Sequence, residues 1–370
     1  MYANIIVDIT HEKLDRVFQY RIPDELEGTL KEGMEVVIPF GKGNREISGY
    51  IIGFSEETDY DISRIKDILQ VKQDSVAIES KLIALAVWMK AHYGGTLIQA
   101  MKTTLPIKKK EQAKEKRTIR LLLSKDEGKE RLDLYLQKNQ KARARLLAAL
   151  LDQPEQDYEL LSRTLHITRA VVRALEEQGV VALESEQIFR NPIHYKIKER
   201  KEVNYSEEQQ NAIQTFWRDY SRGKYGTYLL YGVTGSGKTE VYMEMIARVL
   251  SEGKQAIVLI PEIALTYQTV MRFYGRFGDR VSVLNSKMSQ GERSDQMERV
   301  KRGEVDVMIG PRSALFTPFS NLGLIVIDEE HETSYKSEQI PRYHARETAI
   351  KRAELENASV VLGSATPSLE

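Results

Sequence analysis

Two clusters of residue types in this 370-residue chain are suited to phosphate chemistry. The first, Gly232-Val233-Thr234-Gly235-Ser236-Gly237-Lys238-Thr239, follows the apolar run Tyr228–Tyr231. Its three glycines let the backbone curl so that successive N–H groups face an anion at the positive end of the following helix. Lys238 would reach the β and γ phosphates of a nucleotide, and Thr239 would offer its hydroxyl to the Mg2+ that bridges them. The second cluster, Asp328-Glu329-Glu330-His331, follows Leu324-Ile-Val-Ile directly. An apolar strand ending in Asp-Glu puts one carboxylate, Asp328, beside the metal and the next, Glu329, beside an attacking water, as nucleotide hydrolysis requires. Gln209, in the helix opened by Tyr205-Ser-Glu-Glu, is placed to hydrogen-bond an adenine edge. Ser364 and Thr366, with His331, are the candidates for coupling the acidic box to the nucleotide or to a neighbouring lobe.

These residues need a scaffold that brings distant strand ends together. Apolar strands at Tyr228–Tyr231, Ala256–Ile260, Val281–Leu284, Val305–Ile309, Leu324–Ile327 and Val360–Leu362 alternate with helical patterns. Runs so continuously apolar predict strands buried on both faces, hence a parallel sheet covered by helices, with the phosphate loop at the carboxyl end of its first strand. This α/β RecA-like motor lobe is expected over residues 201–370.

Ahead of it, residues 1–105 predict a small β-rich, barrel-like domain. Strands are expected at Ala3–Ile9, Phe18–Ile22, Glu35–Phe40, Ile47–Phe54 and Ile65–Leu69, with a helix from about Glu79 to His92. Barrels of this kind often grip nucleic acid. Residues 106–118 read as a basic linker: KKKEQAKEKR carries six Lys/Arg against two Glu, a solvated segment or a phosphate-tracking strip. Over residues 119–200, helices at Ala142–Leu151, Tyr158–Leu165 and Thr168–Gln178 precede a Val180–Leu183 strand, the order of a winged helix. Thr168, Arg169 and Arg173 would lie on the face where such folds read duplex, or where they dock protein. The fold class is therefore multidomain.

Further nucleic-acid candidates lie in the motor. Thr266, in PEIALTYQ, and Arg312, in GPRSA, sit at strand ends where they could hold the phosphates of one strand. Tyr335, Tyr343 and Arg346 interleave rings and cations after the acidic box; they suit stacking on unpaired bases, or the rings pack the loop. Composition sets the bounds. Formal net charge is zero, so any basic surface is local. The absence of cysteine excludes disulfides, thiol catalysis and cysteine-ligated zinc in this chain, and fits a reducing compartment. No apolar run approaches the roughly 20 residues of a membrane span, and the start lacks a signal-peptide pattern, so a cytoplasmic, membrane-free location is expected.

Gln209, GVTGSGKT, PEIALT, GPRSALF, DEEH and GSATPSLE follow the motif order of a superfamily 2 helicase motor lobe. With F-x-Y and PFGKG near the start, the whole chain resembles the primosomal replication-restart helicases, the PriA family. The resemblance implies an ATP- and Mg2+-dependent 3′-to-5′ DNA helicase that recognises stalled or abandoned forks and starts primosome assembly. Its implied partners are branched fork DNA with a leading-strand 3′ end, single-stranded DNA, primosome proteins and single-stranded DNA-binding protein. It also implies that Phe18, Gln19, Tyr20, Gly41 and Lys66 hold the 3′ end, with an aromatic pair stacking the terminal base. The family usually has Asp at Gln19, and Asn285, Lys287 and Pro311 also depart from its usual residues. Family members continue into a second motor lobe, which supplies a transition-state arginine, and a cysteine-rich zinc module. Neither is in this chain, so an N-terminal portion with weak or no turnover of its own is expected. The lobe motifs alone would also suit a double-stranded DNA translocase, or a protein scaffold switched by nucleotide.

Overall fold

The computed structural model describes residues 1–58, 60–72, 80–104, 114–165, 167–188 and 204–367. Residues Met1–Glu111 and Asn191–Glu370 form one compact unit, and Gln112–Arg190 a second.

The first unit begins with strands β1 (Tyr2–Val7), β2 (Phe18–Arg21), β3 (Glu35–Phe40), β4 (Arg45–Ser55) and β5 (Gln70–Val71), in the antiparallel order β2-β1-β4-β3-β5. Residues two apart along β1, Ala3, Ile5 and Val7, point inward with Tyr20, Val36, Ile38 and Ile51, as the two-residue period of a strand requires. Gly49 on β4 leaves room for Ile5 of β1: a Cβ there would lie 2.5 Å from Ile5 Cγ2. The strand expected at Ile65–Leu69 is instead a lacing segment. Arg21 N–H donates to Lys66 O (2.9 Å), Ile68 N–H to Arg21 O (3.1 Å) and Leu69 N–H to Val37 O (3.0 Å). By bonding to edge strand β2 and to β3 near the opposite side, it draws the sheet toward a small barrel.

Helices α1 (Ser80–Tyr93) and α2 (Leu97–Thr104) come next. The spacing of Leu82, Ile83, Leu85, Ala86 and Met89 marks the buried face of α1. That face does not simply close the barrel. It enters one apolar cluster with Ile6 and Tyr50 of the barrel and with Ile257, Leu259, Ile325, Ala345 and Ala349 of the motor lobe.

The second unit runs β6 (Lys114–Leu121), α3 (Lys125–Gln137), α4 (Lys141–Asp152), β7 (Glu155–Asp157), α5 (Tyr158–Leu165), α6 (Arg169–Glu176) and β8 (Val181–Ile188). Its sheet order is β7-β6-β8, and α4, α5, α6 and β8 fall at the expected helices and strand. Ile119, Tyr135, Leu147, Tyr158, Leu161, Val172 and Leu175 are among its core residues. Two readings are corrected here. Of the basic stretch, residues 106–113 lie outside the described residues, but Lys114–Thr118 belongs to β6, paired from Lys114↔Ile188 to Leu121↔Val181. And α3 was not foreseen: KDEGKERLDLYLQ is mostly polar, and a Ser124–Glu127 capping box starts it.

The motor lobe follows as α7 (Glu207–Tyr220), β9 (Thr227–Tyr231), α8 (Lys238–Ser251), β10 (Gln255–Leu259), α9 (Tyr267–Phe277), β11 (Val281–Val283), α10 (Gln290–Lys301), β12 (Val307–Gly310), β13 (Leu322–Ile327), α11 (Ala345–Glu356) and β14 (Ser359–Ser364). All six strands are parallel, ordered β11-β12-β10-β13-β14-β9. β10, β12 and β13 are buried throughout, as their sequences predict. β9 is the exception: at the sheet edge it exposes Leu229 (55%) and Tyr231 (67%), so only one of its faces is packed. Among the described residues no helix is long and apolar enough to cross a membrane.

Candidate functional site

β9 carries the phosphate loop and β13 the acidic box, with β14 between them. Neighbouring strands lie about 4.8 Å apart, so the two strand ends are about 10 Å apart, a gap that side chains and a triphosphate can span. Gly235 (φ 82°) and Gly237 (φ 81°) adopt the left-handed backbone that turns the loop into α8, whose N-cap is Gly237. A Cβ on Gly237 would lie 2.5 Å from Gln209 Nε2. Its absence lets Gln209 donate to Ser236 O (2.9 Å) while its Oε1 accepts from Ser206 N–H (2.9 Å). Gln209 thus ties the capping box of α7 to the loop; both amide atoms are engaged in protein contacts.

Lys238, 8% exposed, donates to Gly232 O at 2.7 Å and stands 4.0 Å from Glu329 Oε1. Thr234, Lys238, Thr239, Arg272, Asp328 and Glu329 share one cleft of about 220 Å3. The sequence-predicted loop and acidic box therefore meet. Asp328 follows β13 with its N–H on Leu259 O (2.9 Å), and its Oδ1 accepts from Tyr242 Oη at 3.2 Å. Burial, then the charge of Glu329, pushes the Asp328 carboxyl above the usual range, against the opposing pull of Tyr242 and Lys238. Burial beside Asp328 pushes the Tyr242 phenol far up as well, so it is a donor at any working pH. Glu329 sits in the left-handed region (φ 46°), an uncommon place for a residue with a Cβ and one found at functional turns.

The end of β14 joins the two clusters. Ser364 O accepts from Gly232 N–H (3.1 Å), Gly363 O accepts from Glu330 N–H (2.9 Å), and Ser364 Oγ lies 2.8 Å from His331 Nδ1 and accepts from Thr366 N–H (3.2 Å). Gly363 is required by contact: a Cβ would fall 1.3 Å from Tyr242 Oη. The oxygens of Thr239 and Asp328 are hard donors on one cleft and fit Mg2+, which they would hold together with phosphate oxygens and water. Among the described residues no group of three or more His, Cys, Asp or Glu forms a metal site by itself.

A second concavity, of about 300 Å3, lies on the barrel and is lined by all five residues singled out there, Phe18, Gln19, Tyr20, Gly41 and Lys66, together with Phe40, Tyr60 and Arg64. Phe18 packs edge-on to Phe40 with centroids 5.3 Å apart. Tyr20 is not a stacking partner: it is 5% exposed, its Oη donates to Pro39 O, and burial raises its pKa to about 12. It builds the wall. Lys66 Nζ donates to Gly41 O at 2.6 Å.

The motor's proposed base contacts need correction. Tyr335 (1% exposed) and Tyr343 (4%) are core residues, so neither ring offers a face to a base. Tyr335 Oη donates to Asp328 O (2.7 Å) and Leu259 O (3.1 Å), pinning the acidic turn. Arg346 pairs with buried Glu330 at 2.9 Å, and Arg312 Nη1 donates to Ser334 O (3.0 Å) and Lys336 O (2.5 Å). Both hold the segment after the acidic box in place. Thr266 caps α9 through Thr269 N–H (3.3 Å). Sequence reasoning missed Tyr242 and Arg272. In the pattern Tyr242 is one more apolar position of α8, and Arg272, 3.4 Å from Glu240, reaches the cleft from another helix.

A family model described as "3'DNA-binding domain (3'BD)" matches residues 4–106, and one described as "DEAD/DEAH box helicase" matches residues 206–370. The replication restart protein PriA of Bacillus subtilis is 35% identical over the whole of this chain and 54% of its own length. That of Chlamydia pneumoniae is 33% identical over the whole chain and 49% of its length. The chain spans about half the length of these curated relatives. Among solved structures, RecG bound to a three-way DNA junction aligns with 45% of this chain and 22% of its own, at 25% identity and a TM-score of 0.36.

Proposed function

The chain belongs to the PriA family of replication restart proteins, and on that premise we propose that it forms the ATP-binding lobe and 3′-end grip of a 3′-to-5′ DNA helicase acting at stalled or abandoned forks. The observation that carries this reading is the approach of Lys238 to Glu329, 4.0 Å apart across the ends of two strands separated by a third. One cation and one carboxylate converging on the same cleft suit a γ-phosphate and its attacking water, which would enter between the two as their direct pairing opens. Lys238 would neutralise its charge, and Glu329 would orient the attacking water. The N–H groups opening α8 would bind the remaining phosphate oxygens. When bound, Mg2+ would supply charge neutralisation at the β and γ oxygens, held through Asp328 and Thr239. His331 and Ser364 link the acidic box to the strand that also anchors the phosphate loop, a short route between nucleotide and the rest of the lobe.

On the barrel, Phe18 would stack the terminal base of the leading strand and Lys66 would hold its backbone. Fork DNA and single-stranded DNA are the proposed ligands, in the cytoplasm. By family, primosome proteins and single-stranded DNA-binding protein are the proposed protein partners.

Titration with a fluorescent ATP analogue and Mg2+ tests the motor half. Lys238→Ala is expected to weaken binding at least about a hundredfold, the loss of a buried charge-assisted contact. Glu329→Gln is expected to keep the affinity within about threefold, because only the water's orientation is lost. Equal binding by Lys238→Ala and the parent chain would remove the nucleotide site from this cleft. The grip is tested separately, by comparing forks with and without a leading-strand 3′ terminus.

A further inference from the structure

The barrel pocket has an unusual charge balance for a site that holds a strand end. Among the described residues lining it are two cations, Lys66 and Arg64, and no carboxylate. Gln19 lines the same pocket, and its amide is locked. Nε2 donates to Asn4 Oδ1 (3.1 Å) and Ser55 Oγ (2.9 Å), and Oε1 accepts from Thr58 Oγ1 (2.7 Å). Both donors are therefore committed, and what Gln19 presents is a neutral carbonyl edge with one lone pair remaining. Lys66 uses one of its three N–H groups on Gly41 O. Arg64 pairs only loosely with Asp61, at 3.6 Å, on open surface.

We propose that this pocket accepts a 3′-phosphate terminus about as well as a 3′-hydroxyl, with Gln19 as the residue that permits it. The inference rests on the proposed reading of the pocket as a 3′-end site. A carboxylate at Gln19 would accept a hydrogen bond from a hydroxyl and repel a phosphate dianion. The amide oxygen accepts from the hydroxyl and, carrying no net charge, opposes the phosphate far less than a carboxylate would. The extra phosphate then meets the ammonium of Lys66 with nothing of like charge among the described lining residues opposing it. The substrate class is thus any exposed 3′ end, including the phosphate-bearing ends that strand scission leaves.

The test is fluorescence anisotropy with three forks differing only at the leading-strand terminus: 3′-hydroxyl, 3′-phosphate, and a terminus buried in duplex. The parent chain is expected to bind the first two with Kd values within about threefold of each other, and both at least about fivefold more tightly than the third. Gln19→Asp is expected to create a preference of about tenfold for hydroxyl over phosphate. Lys66→Ala is expected to lose more affinity for the phosphate end than for the hydroxyl end, which keeps the test decisive if Gln19→Asp does not fold. A parent chain that rejects the phosphate end by tenfold or more overturns the inference while leaving the 3′-end reading standing. Equal binding to all three forks overturns the 3′-end reading itself.

Discussion

Asp328, the carboxylate proposed to hold Mg2+, lies in a place that resists ionisation. Its carboxyl is raised above the ordinary range by burial and by Glu329, so the folded chain binds its proton more tightly than the unfolded chain does. The sign follows: the stability tied to this proton is present below the unfolded pKa and is lost as pH rises through the higher folded value. At neutral pH the ionised carboxylate is a standing cost to stability. Asp328→Asn is therefore expected to raise the melting temperature at pH 7.5, without nucleotide, by roughly 2 °C for about 1 kcal/mol. It should also flatten the pH dependence of that melting temperature; a lower one would mean that Tyr242 and Lys238 outweigh burial. Gly363→Ala works in the opposite direction. The new methyl collides with Tyr242 Oη, so a loss of about 1–3 kcal/mol is expected in denaturant unfolding, together with weaker Mg2+–ATP binding. Full affinity in that variant would show that Tyr242 does not orient Asp328. Lys238, Thr239, Asp328 and Glu329 were legible because their neighbours in sequence, glycines on one side and an apolar run on the other, fix what they can do. Tyr242 was not: its partner is 86 residues away, and nothing in a helical repeat distinguishes a tyrosine that packs from one that donates.

At the level of elements, the segment from Ser334 to Arg346 shows where pattern and packing part. Rings alternating with cations suit exposed stacking, yet Tyr335 and Tyr343 are buried and Arg346 faces Glu330. Sequence gives the residue types but not which way the segment folds back, and here it folds onto the β10 and β13 ends. Tyr335→Phe removes one hydroxyl serving two carbonyls and is expected to destabilise by about 1–2 kcal/mol in denaturant titration, with little change in single-stranded DNA affinity. Unchanged stability with weakened DNA binding would restore the stacking role. Strands were read well where both faces are buried, as in β10 and β13, because continuous apolar runs leave little choice. The short closing stretch near Ile65 was misread because its bonding comes from two different strands rather than one ladder. Polar α3 was missed because few of its residues are buried, Gly128 and Tyr135 among them, which leaves little apolar period to detect.

On the scale of the molecule, the barrel and motor lobe share an interior. α1 and α2 contribute Leu82, Leu85, Met89, Ile98 and Met101 to the same cluster as Ile257, Ile325 and Ala349. Lys81 reaches buried Glu356 at 2.8 Å, and Tyr93 bonds to Glu347. On the barrel side, Lys90 pairs with Asp15 at 2.7 Å, and Leu97 N–H donates to Asp15 (2.8 Å). A cut at residue 105 would expose a large apolar face on either product. Fragments 1–105 and 201–370 are each expected to be aggregation-prone or to melt without cooperativity, whereas 112–190 should melt cooperatively on its own core. A cooperative, monomeric 1–105 in calorimetry would contradict the shared interior.

That common interior fixes a lever arm. A rotation of the lobe that left this shared cluster packed would carry the pocket on the barrel through the same angle. Anything lodged there would then travel as cargo, at a constant offset from the cleft that holds Lys238 and Glu329.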